Sequence, residues 1–214
     1  MISFDRREAL RYMGYHGAEP DAAVAESLER CAAELQTAVQ PKSISARFPL
    51  SFIGENTMQI GDLTVTSANL ARNLRGCREV YLMAATLGIG ADRLIARASA
   101  VRMSDAVILQ AVAAAMIETC CDEVNDALRH MAEREGLYCR PRFSPGYGDF
   151  SIEHQRDFSR LLDTPRKIGL TVTESCLLAP IKSVTAVIGL SPEKQDCHRK
   201  GCEECGKTDC NFRR

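Results

Sequence analysis

Residues 106–121, Ala-Val-Ile-Leu-Gln-Ala-Val-Ala-Ala-Ala-Met-Ile-Glu-Thr-Cys-Cys, constrain the fold more than any other stretch. At helical spacing they place apolar side chains on almost every face, so a helix over 105–130 must be covered on most sides by the rest of the chain. Glu118 and Asp122 interrupt the run before it reaches the ~18–20 apolar residues that span a bilayer. The expected place for this helix is the middle of a core. A chain of 214 residues, 45% hydrophobic and 26% charged, can supply that cover. Its 27 basic and 28 acidic side chains nearly cancel, which gives no electrostatic ground for a nucleic-acid or membrane partner. The first residues form no charged-then-apolar leader, because residues 4–11 already read as an amphipathic helix. A cytoplasmic location is expected.

The remaining pattern mixes helices and strands. Asp5 and Glu8 form a capping box for the first helix and Gly14 stops it; a longer helix covers 21–39 and ends before Pro41. Short β-rich pieces follow at 44–53, 57–60 and 63–65, with turns at Gly54-Glu55-Asn56 and Gly61-Asp62. Ser67 caps a helix to Leu74, and residues 79–85 read as a buried strand leading to Thr86-Leu87-Gly88. Beyond Gly136 the pattern predicts a strand-like segment to Ser144, a Gly/Pro turn, a helix over 153–162 and two β segments, 168–173 and 183–190. There is no regular βαβ alternation. The expected class is α+β: a largely antiparallel sheet packed with helices, including the long central one. Residues 1–192 would form this domain and 193–214 a short Cys-rich tail.

Three segments carry functional chemistry. In Arg142-Phe143-Ser144-Pro145-Gly146-Tyr147-Gly148-Asp149, Pro145 fixes one dihedral while Gly146 and Gly148 permit positive φ and close approach. Arg142 offers a guanidinium fork for a carboxylate and Tyr147 a ring face for stacking. An ordinary strand-to-helix turn explains the same residues, so the turn alone decides nothing. The second segment is Ile168-Gly169-Leu170-Thr171-Val172-Thr173-Glu174-Ser175 with Pro180-Ile181-Lys182-Ser183-Val184-Thr185, and the third is the helix around Glu118. A carboxylate on an otherwise apolar helix is costly unless partnered. Glu118 therefore either belongs to a site or pairs with an internal Arg or Lys.

In this order and spacing the three segments resemble the activation domain of cobalamin-dependent methionine synthase, above all its short free-standing relatives. The resemblance is strong over residues 111–190 and weaker over the first hundred. It implies an α+β scaffold that binds S-adenosylmethionine and presents the methyl group to cob(II)alamin, so that an inactive corrinoid enzyme is remethylated when one electron is supplied. It also implies that Arg142 and Tyr147 contact the cofactor, with Ser144 and Gly146 contributing backbone groups and Glu118 a carboxylate from the central helix. The ligand's own chemistry agrees. Its carboxylate, ammonium, sulfonium and adenine call for an anion fork, at least one carboxylate and a flat apolar surface.

The sequence departs from the synthase in three ways. The string Asp-x-His-x-x-Gly occurs at residues 196–201, inside the Cys-rich tail rather than in a cobalamin-binding module, so cobalamin would come from a partner, either methionine synthase or another corrinoid protein, with a separate electron donor. The synthase segment that brings an aromatic residue toward the cofactor is replaced by residues 191–214. Asp5 is only a weak counterpart for the acidic residue of the synthase's N-terminal part.

Ten cysteines fall into two groups. Cys31, Cys77, Cys120, Cys121, Cys139 and Cys176 lie scattered in apolar or mixed stretches, as small buried hydrophobes do. Cys197, Cys202, Cys205 and Cys210 crowd together beside His198 and suit a tetrahedral zinc ion or an iron–sulfur cluster, with a redox-active Cys202/Cys205 pair as a third reading. Two functional classes therefore stand: an S-adenosylmethionine-binding reactivation protein, and a metal-carrying electron-transfer or adaptor protein for a corrinoid enzyme.

Overall fold

A computed structural model describes residues 3–15 and 18–194; Cys197, Cys202, Cys205 and Cys210 lie outside the described residues. Six strands form one antiparallel sheet: β1 (Lys42–Phe52), β2 (Thr57–Ile60), β3 (Leu63–Thr66), β4 (Glu79–Thr86), β5 (Tyr138–Cys139) and β8 (Ser183–Ser191), in the order β3-β2-β1-β4-β8-β5. A separate two-stranded ribbon joins β6 (Thr171–Val172) to β7 (Leu178–Ala179). The α+β expectation holds.

Strands β4 and β8 explain why the sheet is covered on both sides. Every residue of β4 after Glu79 is buried, and alternate side chains must enter opposite layers. Tyr81, Met83 and Ala85 join Ala186, Ile188 and Leu190 under one helical layer. That layer consists of α1 (Arg6–Tyr12), α2 (Ala22–Ala38), α4 (Ile89–Val101) and α5 (Met103–Glu133). Val80, Leu82, Ala84 and Val187 point the other way, toward α3 (Ala68–Asn73), α6 (Gln155–Leu162) and α7 (Thr164–Ile168).

Helix α5 is the predicted central helix, extended by a few residues at each end. By length and composition it could cross a membrane, but 61% of its most apolar window is buried inside the fold. It is a core helix. Burial also accounts for the scattered cysteines: all six described thiols are buried and free of disulfides, and desolvation pushes the Cys120 and Cys121 thiols up.

One local reading needs correction, and one helix, α4, was not read from the sequence. The 168–173 segment is not a strand throughout, because α7 runs to Ile168, whose side chain is buried, and Gly169 closes it at φ 70°. Only Thr171–Val172 pairs as β-structure. Helix α4 lacks the usual start signal: its cap is Gly88, at φ 81°, with no side-chain capping bond. The glycine at its second position looks like a turn residue in sequence. In space Gly90 is where α4 presses on the end of α2, and an added Cβ would lie 1.9 Å from the Ala38 carbonyl oxygen.

Candidate functional site

Arg142 reaches α5 because of a bulge at the sheet edge. Cys139 pairs with Leu190, yet Phe143 pairs with Val187, so four steps on one segment are matched by three on β8. The extra residue lies in the stretch Arg140-Pro141-Arg142, where Pro141 has no N–H to give to a ladder. The expected strand to Ser144 is broken here. On either side of the bulge the backbone is pinned, by Arg140 N–H to the Gly189 carbonyl at 2.8 Å and Phe143 N–H to the Val187 carbonyl at 2.9 Å. Phe143 turns into the α6 side of the sheet, against Phe150. The neighbouring Arg142 side chain turns the other way, to α5.

There its guanidinium is held between two carboxylates. Nη2 donates to Glu118 Oε2 at 3.1 Å and Nη1 donates to Asp122 Oδ1 at 2.8 Å. Glu118 and Asp122 are four residues apart, one turn on the same face of α5, so a single planar fork spans both. The arginine side chain is 23% exposed, that of Glu118 38% and that of Asp122 52%. The cluster therefore sits at the rim of the core, with one positive and two negative charges. Glu118 thus does pair with an arginine, and the arginine is the proposed site residue itself.

The turn that follows is rigid. Tyr147 N–H donates to the Ser144 carbonyl at 3.2 Å, Gly146 N–H to the Phe150 carbonyl at 2.8 Å, and Phe150 N–H to the Tyr147 carbonyl at 3.0 Å. Gly146 has φ 95° and Gly148 φ 56°, both in the left-handed region that a glycine enters without strain. Gly148 also packs so closely that a Cβ would lie 2.5 Å from Asn69 Nδ2. Asp149 locks the turn to α3, accepting from Ser67 Oγ at 2.5 Å, Ala68 N–H at 2.7 Å and Asn69 N–H at 3.1 Å. The Ser67 hydroxyl, followed by those backbone N–H groups, holds the Asp149 carboxyl below its usual value. Tyr147 is left 69% exposed, with its ring free to cover a ligand.

The structure thus brings Arg142 and Glu118 together and sets Ser144, Gly146 and Tyr147 in the turn that begins two residues further on. Asp122 was missed, although its i+4 spacing from Glu118 was the available signal. Asp149 was quoted with the motif but given no task. Asp5 is spent as the α1 cap, accepting from Arg7 and Glu8 N–H groups. Among the described residues no cluster of three or more His, Cys, Asp or Glu could hold a metal ion. Two open clefts, of about 450 and 490 Å³, lie elsewhere. Neither is lined by Glu118, Asp122 or Arg142; the first is bordered by Phe52, Asn56, Arg72 and Arg75, the second by Arg156, Ser159 and Arg160.

The fold itself has a solved counterpart. The MetH reactivation domain bound to AdoHcy superposes with a TM-score of 0.64, over 88% of this chain and 76% of that one, at 16% identity. The chain has the reactivation-domain fold. No protein-family model and no curated protein matches the sequence. At that identity the likeness establishes the scaffold, so the reactivation-domain resemblance read from the three motifs holds for the architecture. The role of Arg142 rests on its own surroundings.

Proposed function

We propose that the chain binds S-adenosylmethionine at the Arg142 cluster and supports reductive remethylation of cob(II)alamin. The corrinoid would be held by a separate cobalamin-dependent methionine synthase or related methyltransferase, in the cytoplasm. The observation that carries this reading is the guanidinium bracketed by Glu118 and Asp122 beside the rigid turn of Gly146 and Tyr147, on a scaffold whose solved counterpart holds AdoHcy.

The charges match the ligand. S-adenosylmethionine carries one carboxylate and two cationic centres, and the cluster offers one guanidinium and two carboxylates. The Arg142 fork takes the ligand's carboxylate, a carboxylate from α5 faces its cationic end, and the exposed Tyr147 ring covers its flat part. Backbone groups at Ser144 and Gly146 fix the ligand against a turn that cannot yield. The sulfonium methyl is thereby held toward solvent, where a corrinoid on a partner can approach.

The reaction balances with one added electron. The reductant converts Co(II) to Co(I), and the Co(I) electron pair displaces the sulfide at the methyl carbon. The C–S bond breaks, the Co–C bond forms, and S-adenosylhomocysteine leaves. The chain's residues supply binding and orientation, which is the main protein contribution to a displacement of this kind.

The test is anaerobic transfer from methyl-labelled S-adenosylmethionine to cob(II)alamin on a corrinoid protein lacking its own activation domain, with a one-electron reductant. Label should accumulate in the corrinoid only when the chain is present. Equal transfer without the chain contradicts the reading.

The cysteines at 197, 202, 205 and 210 favour one addition: they hold a metal ion, zinc or an iron–sulfur cluster. An iron–sulfur cluster would make the alternative role, electron transfer to the corrinoid enzyme, part of the same protein's task. Colour and metal content of anaerobically purified protein separate the two metals.

A further inference from the structure

We infer that the cleft between the β1–β2 turn and α3 is a second ligand site, for a small organic phosphate that carries a flat ring, of the nucleotide class. Its walls include Phe52, Glu55 and Asn56 on one side and Arg72, Arg75 and Gly76 on the other, around a volume of about 450 Å³. Helix α3 belongs to the layer opposite α5, so this cleft is separate from the Arg142 cluster.

Unbalanced positive charge marks the cleft. Arg30, Arg47, Arg142 and Arg160 each hold one or two carboxylates, whereas the Arg72 and Arg75 side chains hold none among the described residues. These two lie three residues apart across the last turn of α3, and like charges at that spacing destabilise unless an anion sits between them. Behind Gly76 lies a third guanidinium. Arg140 is 5% exposed, and an arginine stays charged at physiological pH. Its Nη2 donates to the Arg75 carbonyl at 3.3 Å and the Ser191 hydroxyl at 3.2 Å, while its buried Nε has no partner among the described residues. A Cβ on Gly76 would lie 3.9 Å from that Nη2, so the buried charge sits directly behind the cleft wall. The Cys77 thiol does not neutralise it, because burial pushes that thiol up by more than Arg140 pulls it down. A buried charge with no counter-charge is costly. An anion in the cleft supplies the counter-charge, and Glu55 is the single acid on the lining to oppose it.

The remaining lining selects the kind of anion. Two guanidiniums offer the forked donors that phosphate oxygens accept. Phe52 is 42% exposed, with no ring partner among the described residues, and presents a flat face for stacking. The Asn56 amide can both donate and accept, as the edge of a heterocycle requires. The volume lies within the roughly 300–1,000 Å³ of small-molecule sites. The walls are already fixed, by Ser67 N–H to the Asn56 carbonyl and Leu50 N–H to the Arg78 carbonyl, both at 2.8 Å.

Calorimetric titration of the full chain with ADP, adenosine and inorganic phosphate tests the site. ADP should bind one-to-one, with adenosine and inorganic phosphate each at least about tenfold weaker, because each lacks one of the two recognised parts. Excess S-adenosylmethionine should leave the ADP isotherm unchanged, which separates this cleft from the Arg142 cluster. Arg72→Gln and Arg75→Gln change exposed side chains and leave the core intact; each should weaken ADP about tenfold, the loss of a charged hydrogen-bonding partner. Absence of ADP binding, its displacement by S-adenosylmethionine, or unchanged affinity in both arginine variants overturns the site. Adenosine or inorganic phosphate binding as tightly as ADP overturns the nucleotide class.

Discussion

Arg142 and its two carboxylates are a surface-rim cluster rather than a buried ion triad, and that decides what substitutions there will do. With Glu118 38% and Asp122 52% exposed, the ion pairs add little to folding. Glu118→Gln should therefore leave the thermal transition close to wild type while weakening S-adenosylmethionine binding about tenfold or more. The size follows from charged hydrogen bonds being worth about 1.5–3 kcal/mol when a partner is lost. Unfolding of Glu118→Gln would instead make Glu118 a structural residue. At this scale the sequence revealed the residue types and not their pairing. Arg142 and Glu118 were legible because a fork and a lone carboxylate on an apolar helix both ask for partners. Asp122 was missed because it follows the end of the apolar run at Cys121, where an acid reads as ordinarily solvated. Asp149 was missed because its partners, the N–H groups of Ala68 and Asn69, are 81 and 80 residues away in the chain.

At the level of elements, a bulge places the site and a close helix approach fixes the scaffold. The bulge between Cys139 and Phe143 re-aims Arg142, and no local pattern announces it, since a bulge is a property of pairing with β8. The packing of α4 on α2 is as tight. A methyl at Gly90 would meet the Ala38 carbonyl at 1.9 Å, and that partner is backbone, not a side chain that can rotate away. Gly90→Ala should lower stability by about 1–3 kcal/mol or more, as overpacking does, and chemical denaturation measures it. Wild-type stability would mean that α4 slides along α2 freely. The same position explains why α4 was not read from the sequence: Gly88 and Gly90 frame its start, and glycines at a helix start look like a loop. The 168–173 segment misled in the opposite sense. Ile168, Leu170 and Val172 alternate like a strand, but Ile168 is the buried end of a helix and Gly169 closes it.

For the whole molecule, the α+β class with its antiparallel sheet and central helix follows from a few legible facts, whereas the strand order β3-β2-β1-β4-β8-β5 is seen only in the structure. The central helix is apolar on most faces, β4 is buried on both sides, and the turns at Gly54 and Gly61 force short antiparallel pairs. The tail at 197–214 supplies a separable test. If its four cysteines hold one metal site, truncation before Cys197 should abolish stoichiometric metal yet leave the core folded, because β8 is complete at Ser191. The truncated protein should still bind S-adenosylmethionine, since Glu118, Arg142, Ser144, Gly146 and Tyr147 all precede it. Elemental analysis and circular dichroism check both halves of that expectation. The central claim is simpler and is tested by one calorimetric titration of the full chain with S-adenosylmethionine, set beside Arg142→Ala. Saturable one-to-one binding is expected, weakening tenfold or more in a folded Arg142→Ala with the loss of a charged hydrogen-bonding fork. Binding of equal strength in the two proteins, or none in the wild type, would contradict it.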